Sequence, residues 1–160
     1  MVSSRAARNE DEFMQNWPGV LTGGCLCGDI RYELKGPALF VGQCCCRDCQ
    51  KATGTGHTTI IGVARAQLSL RGSPRAYACK GDTGGDVVRH FCERCGGRLY
   101  TTGSSIDDVM IIQAGSLDDP NAVTPESVIY TKDAPEIPGD AADESRLRPT
   151  CRRPQPRCGT

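Results

Sequence analysis

The residues with the clearest capacity for chemistry are cysteines, and they fall into clusters. Eleven of the 160 residues are cysteine, and nine of these lie before residue 96. Cys92 and Cys95 have the Cys-x-x-Cys spacing of a zinc knuckle, and the two glycines that follow allow backbone amides to approach the sulfurs. Cys25 and Cys27 can supply the other half of a site, because residues i and i+2 of an extended segment point to the same side. The two pairs therefore predict a closed, structural zinc site with four thiolates.

A second cluster lies in the middle of the chain, at Cys44, Cys46 and Cys49. Cys44 and Cys46 again stand at i and i+2, and Cys49 follows on a predicted turn. Three cysteine ligands without an obvious fourth are typical of a catalytic zinc, which keeps one position open. Cys45 points away from its two neighbours in an extended segment, so we interpret it as a bystander or as a thiol that lines the pocket.

Other interpretations of the cysteines remain open at this point. The middle cluster can also be a second structural zinc site, completed by Cys79 or His57. Disulfides are disfavoured because the cysteine count is odd and the expected compartment is reducing. A thioredoxin-like redox role for Cys92 and Cys95 needs a βαβ context, and the sequence does not predict one.

The amino-acid composition disfavours nucleic-acid-binding and membrane-spanning classes of protein. The 19 basic and 19 acidic side chains balance, so the chain lacks the cationic excess that drives non-specific binding to nucleic acid. Apolar runs such as Thr59–Ala64 are too short to span a bilayer. We therefore expect a protein that binds neither nucleic acid nor membranes. Residues 1–15 lack the apolar stretch of a secretory signal, so we expect the protein to be cytoplasmic. The oligomeric state is not predicted.

Short alternating segments separated by glycine-rich turns predict a mainly β protein with one domain over residues 21–133. Residues 1–20 are expected to form a flexible lead-in, and residues 134–160 a disordered tail rich in arginine and proline. One helical turn is predicted near Asp48–Ala52. The predicted strands are Ile30–Leu34, His57–Val63, Gln67–Arg71, Arg75–Cys79, Asp86–Phe91, Arg98–Thr102, Asp108–Ala114 and Val128–Thr131.

Three ordered blocks carry a resemblance to a known family. They are Gly24–Tyr32, Cys44–Gly54 and Phe91–Tyr100, with a weaker fourth block at Ala114–Pro120. In these blocks the chain resembles the family of glutathione-dependent formaldehyde-activating enzymes, which also includes centromere protein V. The resemblance extends over about residues 22–132, and three blocks in order are far more specific than a single Cys-x-x-Cys.

The resemblance implies a small zinc-stapled β-tent, related to zinc ribbons, with two zinc ions per chain. A structural zinc would be held by Cys25, Cys27, Cys92 and Cys95. A catalytic zinc would be held by Cys44, Cys46 and Cys49. The implied activity is that of a carbon–sulfur lyase, which forms or cleaves S-hydroxymethylglutathione from glutathione and formaldehyde. The alternatives are a non-catalytic zinc-binding interaction module and the same fold acting on another thiol or aldehyde.

The chain departs from the family pattern in two places. Cys45 stands where the family usually has a histidine, so a proton-transfer role of that histidine is in doubt. The aromatic-rich C-terminal segment of the family fades here after Lys132.

Three polar residues beside the middle cluster are candidates for substrate contacts. Arg47 and Lys51 flank the cluster and could bind the carboxylates of glutathione, although solvated surface cations are the simpler interpretation. His57 could act as an acid or a base near neutral pH.

Overall fold

The chain folds into a single, mainly β domain, as the sequence predicts. A computed structural model describes residue 17 and residues 19–135. The predicted lead-in at residues 1–20 lies almost entirely outside the described residues, and so does the predicted tail from residue 136 onward. One α-helix, α1, spans Arg47–Thr53. The strands are β1 Val20–Gly24, β2 Arg31–Lys35, β3 Phe40–Cys44, β4 Thr58–Ala64, β5 Leu68–Arg71, β6 Arg75–Lys80, β7 Asp86–Phe91, β8 Arg98–Gly103, β9 Val109–Gln113 and β10 Ser127–Ile129.

The strands form two sheets. The small sheet has three strands in the order β1-β2-β5, and the large sheet has seven in the order β10-β3-β4-β9-β8-β7-β6. Neighbouring strands run antiparallel except β10, which lies parallel to β3 and pairs Ile129 with Cys44. The parallel pair brings the end of the described chain beside the middle cysteine cluster.

One hydrophobic core receives side chains from both sheets. Leu34 of the small sheet is fully buried together with Ile61, Leu99 and Ile112 of the large sheet. Each such side chain contributes about 1.5–3 kcal/mol by leaving water. Trp17 also packs into this core, just before the first strand. The core therefore fixes the position of one sheet on the other, although its supply of large apolar side chains is small.

All eight predicted strands are confirmed to within a few residues, and the predicted helical turn is confirmed as α1. The strands β1 and β3 were not predicted. Both contain glycine, which is depleted in strands, so their propensity is weak. In β1 the glycine is required by packing, because a Cβ atom at Gly23 would lie 2.4 Å from the ring of Tyr32.

Among the described residues, no helix is both long enough and apolar enough to cross a bilayer.

Candidate metal centres and substrate site

The first cysteine cluster forms where two tight turns meet. Cys25 and Cys27 lie in the turn between β1 and β2, whereas Cys92 and Cys95 lie in the turn between β7 and β8. The four sulfurs lie within 4.8 Å of one another. Because β1 and β2 belong to the small sheet and β7 and β8 to the large sheet, this four-cysteine cluster links the two sheets.

The local sequence shapes both turns in the same way. Gly28 and Gly96 each follow the second cysteine of a pair, with φ angles of +83° and +70°. Glycine reaches this left-handed region without the steric penalty that a Cβ atom brings. Outside the cluster, the Arg94 Nη1 donates to Asp29 Oδ1 at 3.0 Å and joins the same two turns.

The sulfur geometry of this cluster fits a tetrahedral metal ion. The Sγ atoms of Cys25 and Cys27 lie 3.5 Å apart, and those of Cys27 and Cys92 lie 3.7 Å apart. A tetrahedron with metal–sulfur bonds of about 2.3 Å has edges of about 3.8 Å. Cys25 and Cys92 are only 7% and 2% exposed, and their thiols are part of the core. The cluster could therefore hold a metal ion in a closed site.

The thiols of this cluster have unequal proton affinities. Burial raises the pKa of Cys95, but hydrogen bonds from the Gly97 and Cys27 amides and from neighbouring thiols lower it to about 6. The Asp29 amide lowers the pKa of Cys27, yet burial and the neighbouring thiols together raise it to about 12. One thiol of the group ionises readily, while the next resists because it would place a second negative charge nearby. A cation at the centre removes that repulsion, so proton release and metal binding are coupled.

The second cluster forms where β3 ends and α1 begins. Cys44 is the last residue of β3, Cys46 is the N-cap residue of α1, and Cys49 lies in the first turn of the helix. The Cys46 Sγ accepts a hydrogen bond from the Cys49 amide at 3.4 Å. The three sulfurs lie within 4.8 Å of one another. This three-cysteine cluster is therefore set by one strand-to-helix junction of the large sheet.

Among residues 17 and 19–135, no further Cys, His, Asp or Glu side chain joins this group of three. The closed site that Cys79 or His57 would complete is not formed. Cys45 lies outside the group and is buried. A hydrogen bond from the Cys49 thiol lowers the pKa of Cys44 to about 6, and the same contact, with burial, raises the pKa of Cys49. The cluster could hold a metal ion through three thiolates and leave one coordination position open.

A pocket of about 480 Å³ lies beside the three-cysteine cluster. Cys46, Cys49 and Arg47 line it together with residues from distant strands and loops. We call it the cluster pocket. Arg89 of β7 reaches it with a side chain that is only 13% exposed and lies 3.3 Å from Asp48 Oδ2. Its Nη1 donates to the Cys79 Sγ at 2.7 Å, so Cys79 is a hydrogen-bond acceptor as well as a packing residue.

A strained tyrosine forms another wall of the cluster pocket. Tyr130 has φ +57°, and no other described non-glycine residue has a positive φ. Its Oη donates to Asp82 Oδ2 at 2.7 Å, and both residues line the pocket. The contact with Asp82 raises the pKa of Tyr130 to about 12, so the phenol keeps its proton at neutral pH. Such strain costs about 1–3 kcal/mol and concentrates at functional sites.

The three predicted polar residues lie in different surroundings. Arg47 lines the cluster pocket and donates to Gln50 Oε1. Lys51 is exposed and faces a neighbouring surface depression that Tyr77 and Arg89 also line. His57 is exposed and lines a second cavity, of about 490 Å³, together with Thr53, Thr55, Thr59, Arg98 and Gln113. We call this second space the threonine cavity.

Sequence reasoning missed four polar residues around the cysteine clusters: Asp82, Arg89, Arg98 and Tyr130. They come from strands and loops that lie far from Cys44–Cys49 along the chain. Arg98 lies within the motif block Phe91–Tyr100, but tertiary folding alone brings all four residues near the clusters. Tyr130 lies within the predicted strand Val128–Thr131, but nothing in the sequence placed that strand beside Cys44.

The comparisons with known proteins agree with this architecture. The chain is similar in fold to the crystal structure of a Rhodobacter sphaeroides protein, a structural genomics target, with 18% sequence identity and a TM-score of 0.51. The match covers 67% of this chain and 98% of that one, and at this identity it shows the fold alone. Residues 20–133, more than half of the chain, match the family described as glutathione-dependent formaldehyde-activating enzyme. The chain therefore belongs to the glutathione-dependent formaldehyde-activating enzyme family.

Proposed function

We propose that the chain is a zinc-dependent carbon–sulfur lyase that forms and cleaves adducts of glutathione with formaldehyde. One observation supports this more than any other. Three cysteine sulfurs converge without a fourth Cys, His, Asp or Glu ligand among the described residues, and two of these cysteines, Cys46 and Cys49, line the cluster pocket. A purely structural site has no need of an open position, whereas a site that binds a substrate thiol does.

We assign two zinc ions per chain. Cys25, Cys27, Cys92 and Cys95 would hold the structural ion, and Cys44, Cys46 and Cys49 the other. When bound at the three-cysteine cluster, zinc supplies a Lewis acid whose open position favours the deprotonated form of a thiol. Thiol donors at these separations suit zinc, because zinc accepts sulfur ligands in a tetrahedral arrangement without a redox change.

The reaction balances without an additional reagent. A lone pair on the glutathione sulfur forms a bond to the formaldehyde carbon, and the C=O π pair moves to the oxygen. That oxygen then takes up one proton, so the thiol proton ends on the new hydroxyl group. The reverse reaction breaks the same carbon–sulfur bond and restores the thiol and the aldehyde.

The side chains around the cluster pocket supply binding and orientation. Tyr130 donates its one phenolic proton to Asp82, so it forms a fixed wall of the pocket that helps to orient the substrate. Arg47, and also Arg89, present guanidinium groups to the pocket, where a carboxylate of glutathione can bind. Lys51 remains a weaker candidate for that contact, because it is exposed and lines the neighbouring depression and not this pocket. Holding both reactants in one pocket itself lowers the barrier by several kcal/mol.

A role for His57 as acid or base is less well supported. The residue lines the threonine cavity and does not line the cluster pocket. We propose that it contacts part of the substrate that extends beyond the reacting atoms.

We also propose that the protein works in the cytoplasm. None of the nine described cysteines forms a disulfide, and the mechanism needs the seven cysteines of the two clusters as thiolates. A reducing compartment keeps such thiols from pairing as disulfides.

The proposal is tested with exchange NMR on glutathione and isotope-labelled formaldehyde. The adduct forms without an enzyme, so the measured quantity is the rate at which free and adduct forms interconvert at equilibrium. We expect zinc-loaded protein to raise this rate in proportion to its concentration. Cys46→Ser should return the rate to the uncatalysed value while the domain stays folded, because serine is also a good N-cap residue for α1.

Cys45→Ala is the matched control, since this neighbouring thiol lies outside the cluster. It should retain the increase in rate. An unchanged exchange rate with zinc-loaded wild-type protein would overturn the lyase assignment. Two tightly held zinc ions that are indifferent to glutathione would instead favour the non-catalytic interaction module.

A further inference from the structure

The threonine cavity has the composition of a site for an anion. Its volume is about 490 Å³, and hydroxyl groups line it from both the loop after α1 and strand β4. It contains one cation, Arg98, and its lining includes no aspartate and no glutamate. The hydroxyls of Thr53, Thr55 and Thr58 already donate to internal acceptors. The guanidinium of Arg98 and the hydroxyl of Thr59 therefore remain as donors that suit a carboxylate.

Arg98 is the cavity residue whose charge has no ion-pair partner among the described residues. Its side chain is half-buried, and its Nη1 atom is buried with no hydrogen-bond acceptor. The ion pairs among the described residues do not include it, whereas the nearby Arg89 is paired with Asp48 and Cys79. A buried donor without an acceptor costs about 1–3 kcal/mol, and more when it is charged. The fold thus retains a guanidinium that no internal group satisfies.

The cavity also lies next to the three-cysteine cluster. Ala52 and Thr53, which line it, belong to the same short helix as Cys49. The Thr53 Oγ1, which lines the cavity, donates to the Cys49 carbonyl oxygen at 2.8 Å. A peptide extends by about 3.3–3.6 Å per residue. A short peptide thiol with its sulfur at the cluster can therefore place a terminal carboxylate in the neighbouring cavity.

We propose that Arg98 binds a carboxylate of the thiol substrate in the threonine cavity and thereby selects thiols that carry a carboxylate over small neutral thiols. This inference rests on the proposed function, because it assumes that the substrate sulfur lies at the three-cysteine cluster. The carboxylate supplies the charge partner that the guanidinium lacks, and it meets the guanidinium on the side that lines the cavity. Arg98 is thus a determinant of specificity that acts on a part of the substrate remote from the reacting atoms.

The test is a calorimetric titration of zinc-loaded protein with S-methylglutathione. This probe keeps both carboxylates but has no free thiol, so binding is measured apart from any reaction. We expect Arg98→Gln to weaken binding at least about tenfold, as the loss of a charge-assisted hydrogen bond implies. Arg98→Lys keeps the charge without the planar fork and should give an intermediate affinity. Arg75→Gln, an exposed arginine of β6 paired with Glu93, is the control and should bind as the wild type does.

A second probe identifies the group that Arg98 recognises. S-methylglutathione with both carboxylates converted to amides should bind the wild type as weakly as the acid form binds Arg98→Gln. The melting temperature of Arg98→Gln should be no lower than that of the wild type, because its Nη1 donates to no internal acceptor. Equal affinity of wild type and Arg98→Gln for the acid probe, or equal affinity of the wild type for the acid and the amide, would overturn the proposal.

Failure of the proposed function gives a different result. If the wild type does not accelerate exchange between glutathione and formaldehyde, yet S-methylglutathione binding still depends on Arg98, the carboxylate site stands and the reaction assignment falls. If exchange is accelerated equally in wild type and Arg98→Gln with unchanged affinity for the probe, the reaction stands and the assignment of Arg98 falls.

Discussion

The two cysteine clusters use the same ligand type in opposite structural settings. The four-cysteine cluster joins turns from two different sheets, and two of its sulfurs belong to the hydrophobic core. The three-cysteine cluster sits at one strand-to-helix junction of the large sheet and borders an open pocket. The first is placed where it can hold the fold together, whereas the second is placed where a ligand can reach it.

The difference shows how position in the fold separates a structural role from a chemical one. A cross-link between sheets removes conformational freedom from residues that are far apart in sequence, so it stabilises the domain as a whole. A cluster within ten residues of chain closes only a small loop and adds little to stability. The three-cysteine cluster can therefore keep an open coordination position without lowering the stability of the domain.

The largest effect that would test this contrast is expected from Cys92→Ser. Structural zinc sites contribute about 10–16 kcal/mol of apparent binding free energy, which is as large as the total stability of a typical domain. We expect the variant to lose its cooperative thermal unfolding transition, measured by circular dichroism. Cys79→Ser, a half-buried cysteine outside both clusters, is the matched control and should keep it. A loss of melting temperature in Cys46→Ser as large as that in Cys92→Ser would break the division of roles.

Removal of metal by a chelator should separate the two clusters in time. The three-cysteine cluster offers fewer ligands and borders an open pocket, so we expect zinc bound there to leave first. The far-ultraviolet circular dichroism signal should not change during this first phase and should collapse during the second. Release of both ions in one phase together with unfolding would contradict the distinction.

A smaller effect, on the rate of zinc release, is expected from backbone strain at the positive-φ glycine that follows each cysteine cluster. Gly96 and Gly54 both have positive φ, and a Cβ atom at either would meet no atom within 4 Å. Alanine at these positions therefore adds only backbone strain, about 1–2 kcal/mol. We expect Gly96→Ala to speed the second phase of zinc release and Gly54→Ala to speed the first. Asparagine tolerates the left-handed region better, so Gly96→Asn should show a weaker effect than Gly96→Ala.

The smallest effect concerns a polar link between the small sheet and the rest of the domain. Arg31 of β2 pairs with Asp118, and hydrogen bonds from Arg31 and Thr22 hold the pKa of that carboxyl below its usual value. This stabilisation is present at neutral pH and is lost as the pH falls through the lowered pKa. Because the pair is exposed, Asp118→Asn should reduce stability by less than about 1 kcal/mol at pH 7.

The salt dependence of this link completes the contrast with the cysteine link. In 1 M salt the Debye length is about 3 Å, so wild type and Asp118→Asn should unfold at nearly the same denaturant concentration. The effect of Cys92→Ser should persist at that salt concentration. A salt-insensitive difference between wild type and Asp118→Asn would mean that the ion pair is not its source.

Much of the architecture could be predicted because local sequence patterns determine it. Alternation of apolar and polar residues predicted eight strands, and cysteine spacing predicted both groups of sulfurs that converge. Strands β1 and β3 could not be predicted, because Gly23 and Gly42 weaken the local strand signal. Both glycines are required by close packing against neighbouring residues, which the local sequence does not reveal. The roles of the cysteines, Arg47, Lys51 and His57 in binding and chemistry remain predictions.

The sequence by itself determined that this is a mainly β chain with two sets of convergent cysteines, because spacing along the backbone fixes which thiols can face the same way. Only the tertiary structure decided that one set joins two sheets and that the other opens onto a pocket. It also decided that Arg89, Arg98 and Tyr130 approach the second set. These side chains come from strands and loops whose pairing depends on long-range packing, and no local pattern encodes where such strands will meet.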